Sequence, residues 1–300
     1  MSNNLIYEVL DCGDGMKVRE YMTEVLELSR RFTKNAGLNK RIYVNKNIVK
    51  LNHRLNKGDI IEVQITKNES QNIIPEDIDI DVIYEDSELL VVNKKPNMVV
   101  HPTKSYPTGT LSNGILYYFK EKGENCIVRL VSRLDMDTSG LIMVAKNQFA
   151  HMNLAKSMEN NLITKSYLAI VHGVIKEEYG TIDVPIGRPT EDSIKREVME
   201  HGQNSITHFK VVERYKNATL VELTLETGRT HQIRVHLSYI NHPIYGDSLY
   251  GIEEKEYIKR QALHAYKLVI PHPRTGEILK LESKLPEDME KLLNKLGEKN

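Results

Sequence analysis

Cysteine is nearly absent: Cys12 and Cys126 are too few for a disulfide framework and too far from any Cys-x-x-Cys spacing for a zinc site. A reducing compartment fits that usage. No apolar run approaches the roughly 18 residues of a membrane span. The opening MSNNLIYEVL lacks the basic region and long apolar stretch of a secretory signal, so a cytoplasmic protein with no membrane partner is expected. There is no excess charge of either sign, with 41 basic residues against 41 acidic. Internal repeats and low-complexity segments are also missing. What is present is an ordinary globular composition, 40% hydrophobic and 27% charged over 300 residues, enough for about two domains.

The neutral total hides a local asymmetry. Residues 28–58 carry nine basic side chains (Arg30, Arg31, Lys34, Lys40, Arg41, Lys46, Lys50, Arg54, Lys57) and no acidic one. Such a module calls for an anionic partner. Val25, Leu26, Leu28, Arg31 and Phe32 read as an amphipathic helix, and residues 42–45 and 59–63 as short strands, which makes a small α/β unit. Residues 69–88 reverse the sign, with eight acidic side chains, no basic one, and Pro75 near the start. This stretch is expected to be a solvated linker and strand face; the alternative is that it holds the basic module off its own larger domain.

Beyond it, residues 78–83 alternate apolar with charged, 89–92 form a short apolar strand, and 111–119 have helical spacing. Residues 141–145 read as a buried strand, and Phe149, Met152, Ala155 and Met158 line one side of a helix. Residues 167–171, 207–212 and 220–225 are strand-like. Long strands with few helices between them predict an α+β domain with a mixed, mostly antiparallel sheet flanked by helices and loops, preceded by the small α/β unit. The expected boundaries are 1–68 for the basic module, 69–77 for the acidic linker and 78–300 for the larger domain, so deleting residues 1–68 should spare the larger fold.

Two segments could carry chemistry. In residues 131–141, carboxylates and hydroxyls precede a buried strand: Val131-Ser132-Arg133-Leu134-Asp135-Met136-Asp137-Thr138-Ser139-Gly140-Leu141. Asp135, Asp137, Ser139 and Gly140 match the first, third, fifth and sixth places of a calcium loop, but Lys146 occupies the twelfth, where a bidentate carboxylate is needed. The competing reading is that Asp and Ser only shape the turn by bonding nearby amides. In residues 227–236, a glycine turns the chain and Thr230 is placed to cap a helix whose Ile233, Leu237 and Ile240 face the core. His231 and His236 sit about 140° apart on such a helix and lack a third ligand, which argues against a metal. An arginine there suits an anion or carboxylate, or it bonds backbone at the surface.

Taken together these segments resemble the RluA-type RNA pseudouridine synthases. The resemblance rests on Arg133-Leu134-Asp135-x-x-Thr138-Ser139-Gly140-Leu141, Lys165-x-Tyr167, 227–236 and His242-Pro243-Ile244-x-Gly246-Asp247. Asn93-Lys94-x-Pro96, Val100-His101-Pro102, Gly109-Thr110-Leu111, Pro185-Ile186-Gly187-Arg188 and 260–265 add to it, in the same order. The basic module resembles the S-four-type RNA-binding module of some ribosomal proteins and tRNA synthetases. One departure is Ser132, where the family often has His or Asn before Arg-Leu-Asp. It is expected to alter RNA contacts more than chemistry.

The resemblance implies a uridine isomerase needing no metal or cofactor, acting on RNA (ribosomal before transfer RNA), with no required protein partner. By similarity Asp135 initiates cleavage of the glycosidic bond, as nucleophile or by deprotonating the ribose. Arg229 is placed against Asp135, where a guanidinium opposes the rise in carboxyl pKa that burial brings. Tyr167 lies against the base. With an ordinary phenol pKa near 10 it is a poor proton acceptor unless the local field lowers it, and Lys165, pointing the same way from a strand, can supply that field. Arg133 fills the gap left by the flipped base. RNA affinity is expected from Arg30, Arg31, Lys34, Lys40, Arg41, Lys46 and Arg54, with steep salt dependence. The competing classes are a non-catalytic RNA-binding or ribosome-assembly protein and a metal-dependent nuclease. The first has no need of Asp135, Tyr167 and Arg229 together, and the second lacks a ligand cluster.

Overall fold

The computed structural model describes residues 4–65, 71–252 and 255–297; the start of the acidic stretch, Glu69, and residue 68 of the expected boundary lie outside them. The small N-terminal unit contains β1 (Asn4–Glu8), α1 (Val18–Glu20) running on as a π-helical turn (Tyr21–Val25), α2 (Arg30–Leu38), β2 (Ile42–Val44), β3 (Asn47–Ile48) and β4 (Ile60–Gln64). Its antiparallel sheet has the order β1-β4-β2-β3. The helix expected around residues 25–32 begins later. Ser29 has extended backbone and its hydroxyl accepts from the Phe32 amide at 3.2 Å, so it caps α2. Val25 and Leu26 belong to the preceding π-helical turn or its end.

The larger unit contains β5 (Asp81–Glu85), β6 (Leu89–Lys94), α3 (Leu111–Glu121), β7 (Arg129–Leu130), β8 (Ser139–Ala145), α4 (Gln148–Glu159), β9 (Thr164–His172) and β10 (Tyr179–Asp183). The chain continues through β11 (Ile186–Gly187), β12 (Glu197–Val198), β13 (Ile206–Tyr215), β14 (Ala218–Leu225), α5 (Gln232–Tyr239), β15 (Leu263–Pro271), β16 (Ile278–Glu282) and α6 (Glu287–Leu296). The main sheet runs β10-β13-β14-β9-β15-β8-β6-β5, with β16 on β15 and β7 on β8. Its pairings are antiparallel except β8 with β15. The α+β fold with a mixed, mostly antiparallel sheet is therefore as the sequence predicts.

The central strands are apolar throughout because both faces are covered. Leu89, Val91, Leu141 and Met143 pack on Ala150 and Leu154 of α4, while Leu90, Val92, Ile142 and Val144 pack on Leu111, Ile115 and Phe119 of α3. The expected apolar side of α4 is divided: Phe149 and Met152 turn away from the sheet into the N-terminal core. Residues 71–76 are tied to the larger unit. Gln71 exchanges two hydrogen bonds with the Val128 backbone, and the Ile74 carbonyl accepts from Asn113.

At the one parallel junction, Gly140 has φ +117° and a Cβ there would lie 2.2 Å from the Ala265 carbonyl oxygen. Only glycine fits. This junction brings the segment before β8 to the middle of the sheet, beside β9 and β15.

Candidate active site

The loop 133–139 is held from below by the interior. The buried Lys94 ammonium donates to the carbonyls of Lys95, Met98 and Met136 at 2.9, 2.9 and 2.7 Å. Arg260 donates to the Asp137 carbonyl at 3.1 Å and Gln261 to the Thr138 hydroxyl at 3.2 Å. Ser139 shares a 2.9 Å hydrogen bond with His264, whose other ring nitrogen meets Ser283 at 2.9 Å. Burial, with Arg260 nearby, pulls the His264 pKa down to about 4, so this ring is neutral at pH 7. A loop so fixed presents Asp135 in one place, half-buried at the mouth of a cleft.

The cation against Asp135 is Arg234, not Arg229. Arg234, on the first turn of α5, donates from Nη1 to Asp135 Oδ2 at 3.0 Å. Its Nε and Nη2 donate to the two carboxylate oxygens of Asp247 at 2.7 and 2.8 Å. Asp247 is fully buried and also accepts from the Leu249 and Tyr250 amides. Burial works against the Arg234 charge, but the Asp247 and Asp135 carboxylates outweigh it and raise its pKa. The guanidinium is thus clamped by one carboxylate and offers its remaining edge to the other. Arg229 is exposed and its Nε donates to the Asn204 carbonyl at 3.0 Å, the surface alternative open in the sequence. The missed signal was helical spacing: Arg234 lies three residues after His231, and that offset shares a face.

The turn before α5 also departs from expectation. Thr230 does not cap the helix; His231 takes the N-cap place in the left-handed region, φ 59°, without a capping side chain. Gln232 organises the turn instead. Its carbonyl oxygen accepts from Thr227 Oγ1 and the Arg229 amide, and its amide donates to the Ile206 carbonyl and Thr207 Oγ1. His231 Nε2 stands 3.8 Å from Asp135 Oδ2. Burial lowers its pKa, with Asp135 opposing and Arg234 and Arg196 adding to the fall. A neutral ring that accepts a hydrogen bond from the Tyr250 hydroxyl at Nδ1, 2.8 Å away, presents Nε2–H towards Asp135. His236 is buried against Thr207 and the Val184 carbonyl, and no group of three metal-ligating side chains lies among the described residues.

A cleft of about 990 Å³ collects Asp135, Arg133, Lys165, Tyr167, Arg188, Arg196, Arg229 and His231. Lys165 and Tyr167 do point the same way from β9. The field at the phenol is the reverse of the one expected: burial and then the Asp135 charge raise the Tyr167 pKa, and burial lowers that of Lys165. Tyr167 is therefore a neutral wall of the cleft at pH 7. Arg133 is exposed at the rim. A second groove, about 390 Å³, continues past Arg229 between Arg188, Arg196 and His201. The Arg196 and His201 contributions had no separate mark in the sequence.

Of the module's basic residues, Arg30, Arg31, Lys34, Lys40 and Lys46 are exposed. Arg54 is exposed as well and bonds the Gly15 carbonyl. Arg41 is the exception. It is buried, donating to the Gln64 carbonyl and to Asn35 Oδ1, so it braces α2 against β4 and is not available to a partner.

One clamped carboxylate in a cleft ringed by arginines, at the centre of a mixed sheet, defines a carboxylate-centred enzyme for an anionic substrate. The family model for RNA pseudouridylate synthase matches residues 88–239. YlyB of Bacillus subtilis, an uncharacterized RNA pseudouridine synthase, is 46% identical over 85% of this chain and 86% of its own length. Ribosomal large subunit pseudouridine synthase D of Haemophilus influenzae is 35% identical over 90% and 89%. Among solved structures, human RNA pseudouridylate synthase domain containing 1 aligns with TM-score 0.58 and 27% identity over 73% of this chain and 94% of that one.

The chain belongs to the RNA pseudouridylate synthase family and is of the RluA type. It is an isomerase whose substrate is RNA.

Proposed function

We propose that the chain converts uridine to pseudouridine in large-subunit ribosomal RNA, with Asp135 initiating cleavage of the bond between the ribose and the ring nitrogen. The observation that carries this reading is the Asp135–Arg234–Asp247 chain of charges at the mouth of the cleft. An ionised Asp135 can act by attack on the ribose or by taking a ribose proton. Arg234 holds the carboxylate by a charge-assisted hydrogen bond and aims it while the flipped base covers it. The detached uracil turns over and rejoins through a ring carbon, so no atom enters or leaves. Tyr167 packs against the base as a flat neutral surface. Arg133, at the rim, stacks in the gap that the uridine leaves.

The N-terminal unit, residues 1–68 in this reading, is an S-four-like RNA-binding domain whose exposed cations attract the phosphate backbone. The ribosomal target is supported by the relatives named ribosomal large subunit pseudouridine synthase D in Haemophilus influenzae and Xanthomonas campestris. A cytoplasmic location fits, and no described helix is long and apolar enough to cross a membrane. The test maps pseudouridine across ribosomal and transfer RNA from cells lacking the gene, complemented by wild type or by Asp135→Asn. Loss at particular large-subunit uridines, restored only by wild type, is expected. Restoration by Asp135→Asn would remove Asp135 from the chemistry, and loss confined to transfer RNA would replace the substrate.

A further inference from the structure

The N-terminal unit is seated on the larger one through contacts that have no part in the chemistry. Phe149 and Met152, on α4, complete the hydrophobic core of the N-terminal unit. The Ser29 hydroxyl, which caps the basic helix α2, meets Met152 Sδ at 3.2 Å, and Lys156 of α4 pairs with Glu27. In the turn between β15 and β16, Arg274 donates from Nε to the buried Glu88 at 2.8 Å. It also reaches the Asn4 carbonyl of β1 at 3.4 Å and lies over the Phe149 ring, 5.5 Å from its centroid. Asn147 takes the other Glu88 oxygen at 2.8 Å. An apolar plug, one charge pair and the hydrogen bonds of Ser29 and the Asn4 carbonyl cross between the units, while Glu88 and the Phe149 ring hold Arg274 in place for its share.

That orientation matters because α4 touches both places. Its far end, Met158, lines the cleft that holds Asp135. Met152 and Met158 are about 9 Å apart along the helix axis. Through Ser29, α2 with its exposed Arg30 and Arg31 is thus tied to α4 about 9 Å along the helix axis from the residue that lines the cleft.

We propose that Phe149, Met152 and Arg274 are specificity-determining positioning residues, which lock the N-terminal unit so that α2 grips the RNA backbone at a fixed reach from the uridine entering the cleft. This rests on the reading of that unit as RNA-binding. A locked second contact strengthens binding and selects the uridines at the right distance. The same contact on a loose tether loses the selection and part of the affinity.

The test uses the full chain and an unmodified transcript of large-subunit ribosomal RNA. Phe149→Glu with Met152→Glu should enlarge the particle in X-ray scattering, raise KM about tenfold with kcat held, and spread pseudouridine to further uridines. A released unit with wild-type KM and site choice overturns the proposal. Ser29→Cys with Met152→Cys, joined by a short bis-maleimide in a Cys12→Ser background, should keep wild-type turnover and site choice. This variant decides the matter if the double glutamate variant does not fold, and loss of turnover on joining overturns the proposal. Arg30→Ala/Arg31→Ala/Lys34→Ala separates the two readings. An unchanged KM in that triple variant removes the RNA-binding role itself, whereas a raised KM beside an inert undocked variant removes only the locking.

Discussion

The cations of the cleft and those of the N-terminal unit belong to different physical regimes. Arg234 is buried, held by three hydrogen bonds to two carboxylates, and cannot be moved without stranding Asp247. Arg30, Arg31 and Lys34 are exposed, and no salt bridge engages them in the described structure. A buried pair is short-ranged, orienting and insensitive to salt; exposed charges act at a Debye length and fade as salt rises. The first kind aims a reactive carboxylate, and the second gathers a polyanion. Arg41 shows that position in the sequence does not decide the regime, since it lies within the basic run yet is buried and bonded.

The largest expected effect is at the clamped carboxylate: Asp135→Asn should lower turnover by about 10⁴-fold or more, with RNA affinity retained in a filter-binding assay. Next, Arg234→Met should abolish measurable turnover and cost about 3–5 kcal/mol in denaturant unfolding, because Asp247 is left buried without its partner. If Arg229→Ala proves as damaging as Arg234→Met, the two arginines have been assigned the wrong way round. Arg229→Ala is expected to change rate and stability by less than about 1 kcal/mol, as befits an exposed side chain bonded to one carbonyl.

The buried regime also predicts a pH response. His264 has a folded pKa near 4, below its ordinary 6.5, so the unfolded chain binds the proton more readily. Its contribution is fully present above about pH 6.5 and is lost as pH falls towards 4, by about 3 kcal/mol. His264→Gln should flatten that part of an unfolding-versus-pH curve. The exposed regime predicts a salt response instead. Replacing Arg30, Arg31 and Lys34 with alanine should reduce the slope of log affinity against log salt by up to about 3; an unchanged slope would place the phosphate contacts elsewhere.

The strands at 89–92, 141–145 and 220–225, the helix at 111–119 and the one marked by Phe149, Met152, Ala155 and Met158 were legible because apolar runs, alternation and helical spacing report burial directly. Strand β15 was not, although its first residues were already marked by the resemblance. Its run Leu263–Pro271 mixes histidine, tyrosine and lysine with apolar residues, so its central place between β9 and β8 follows from pairing and not from composition. Within the site, Asp135, Tyr167, Lys165 and Arg133 line one cleft. The partner of Asp135 was misplaced by five residues, because a motif names residue types while the turn at His231 decides which of them the helix start directs inward.

The amino-acid sequence by itself determined the α+β class, the family, the basic N-terminal unit and the loop that carries Asp135. These are local or compositional properties: periodicity, charge runs and motif order survive without contacts. Tertiary structure alone decided that Arg234 is the clamp, that burial and then the Asp135 charge raise the Tyr167 phenol pKa, that Arg41 is structural, and that Phe149 and Met152 face the other unit. Each of these depends on which groups come within a few ångströms across many residues of chain, and burial and charge pairing at that range are set by packing, not by neighbours in sequence.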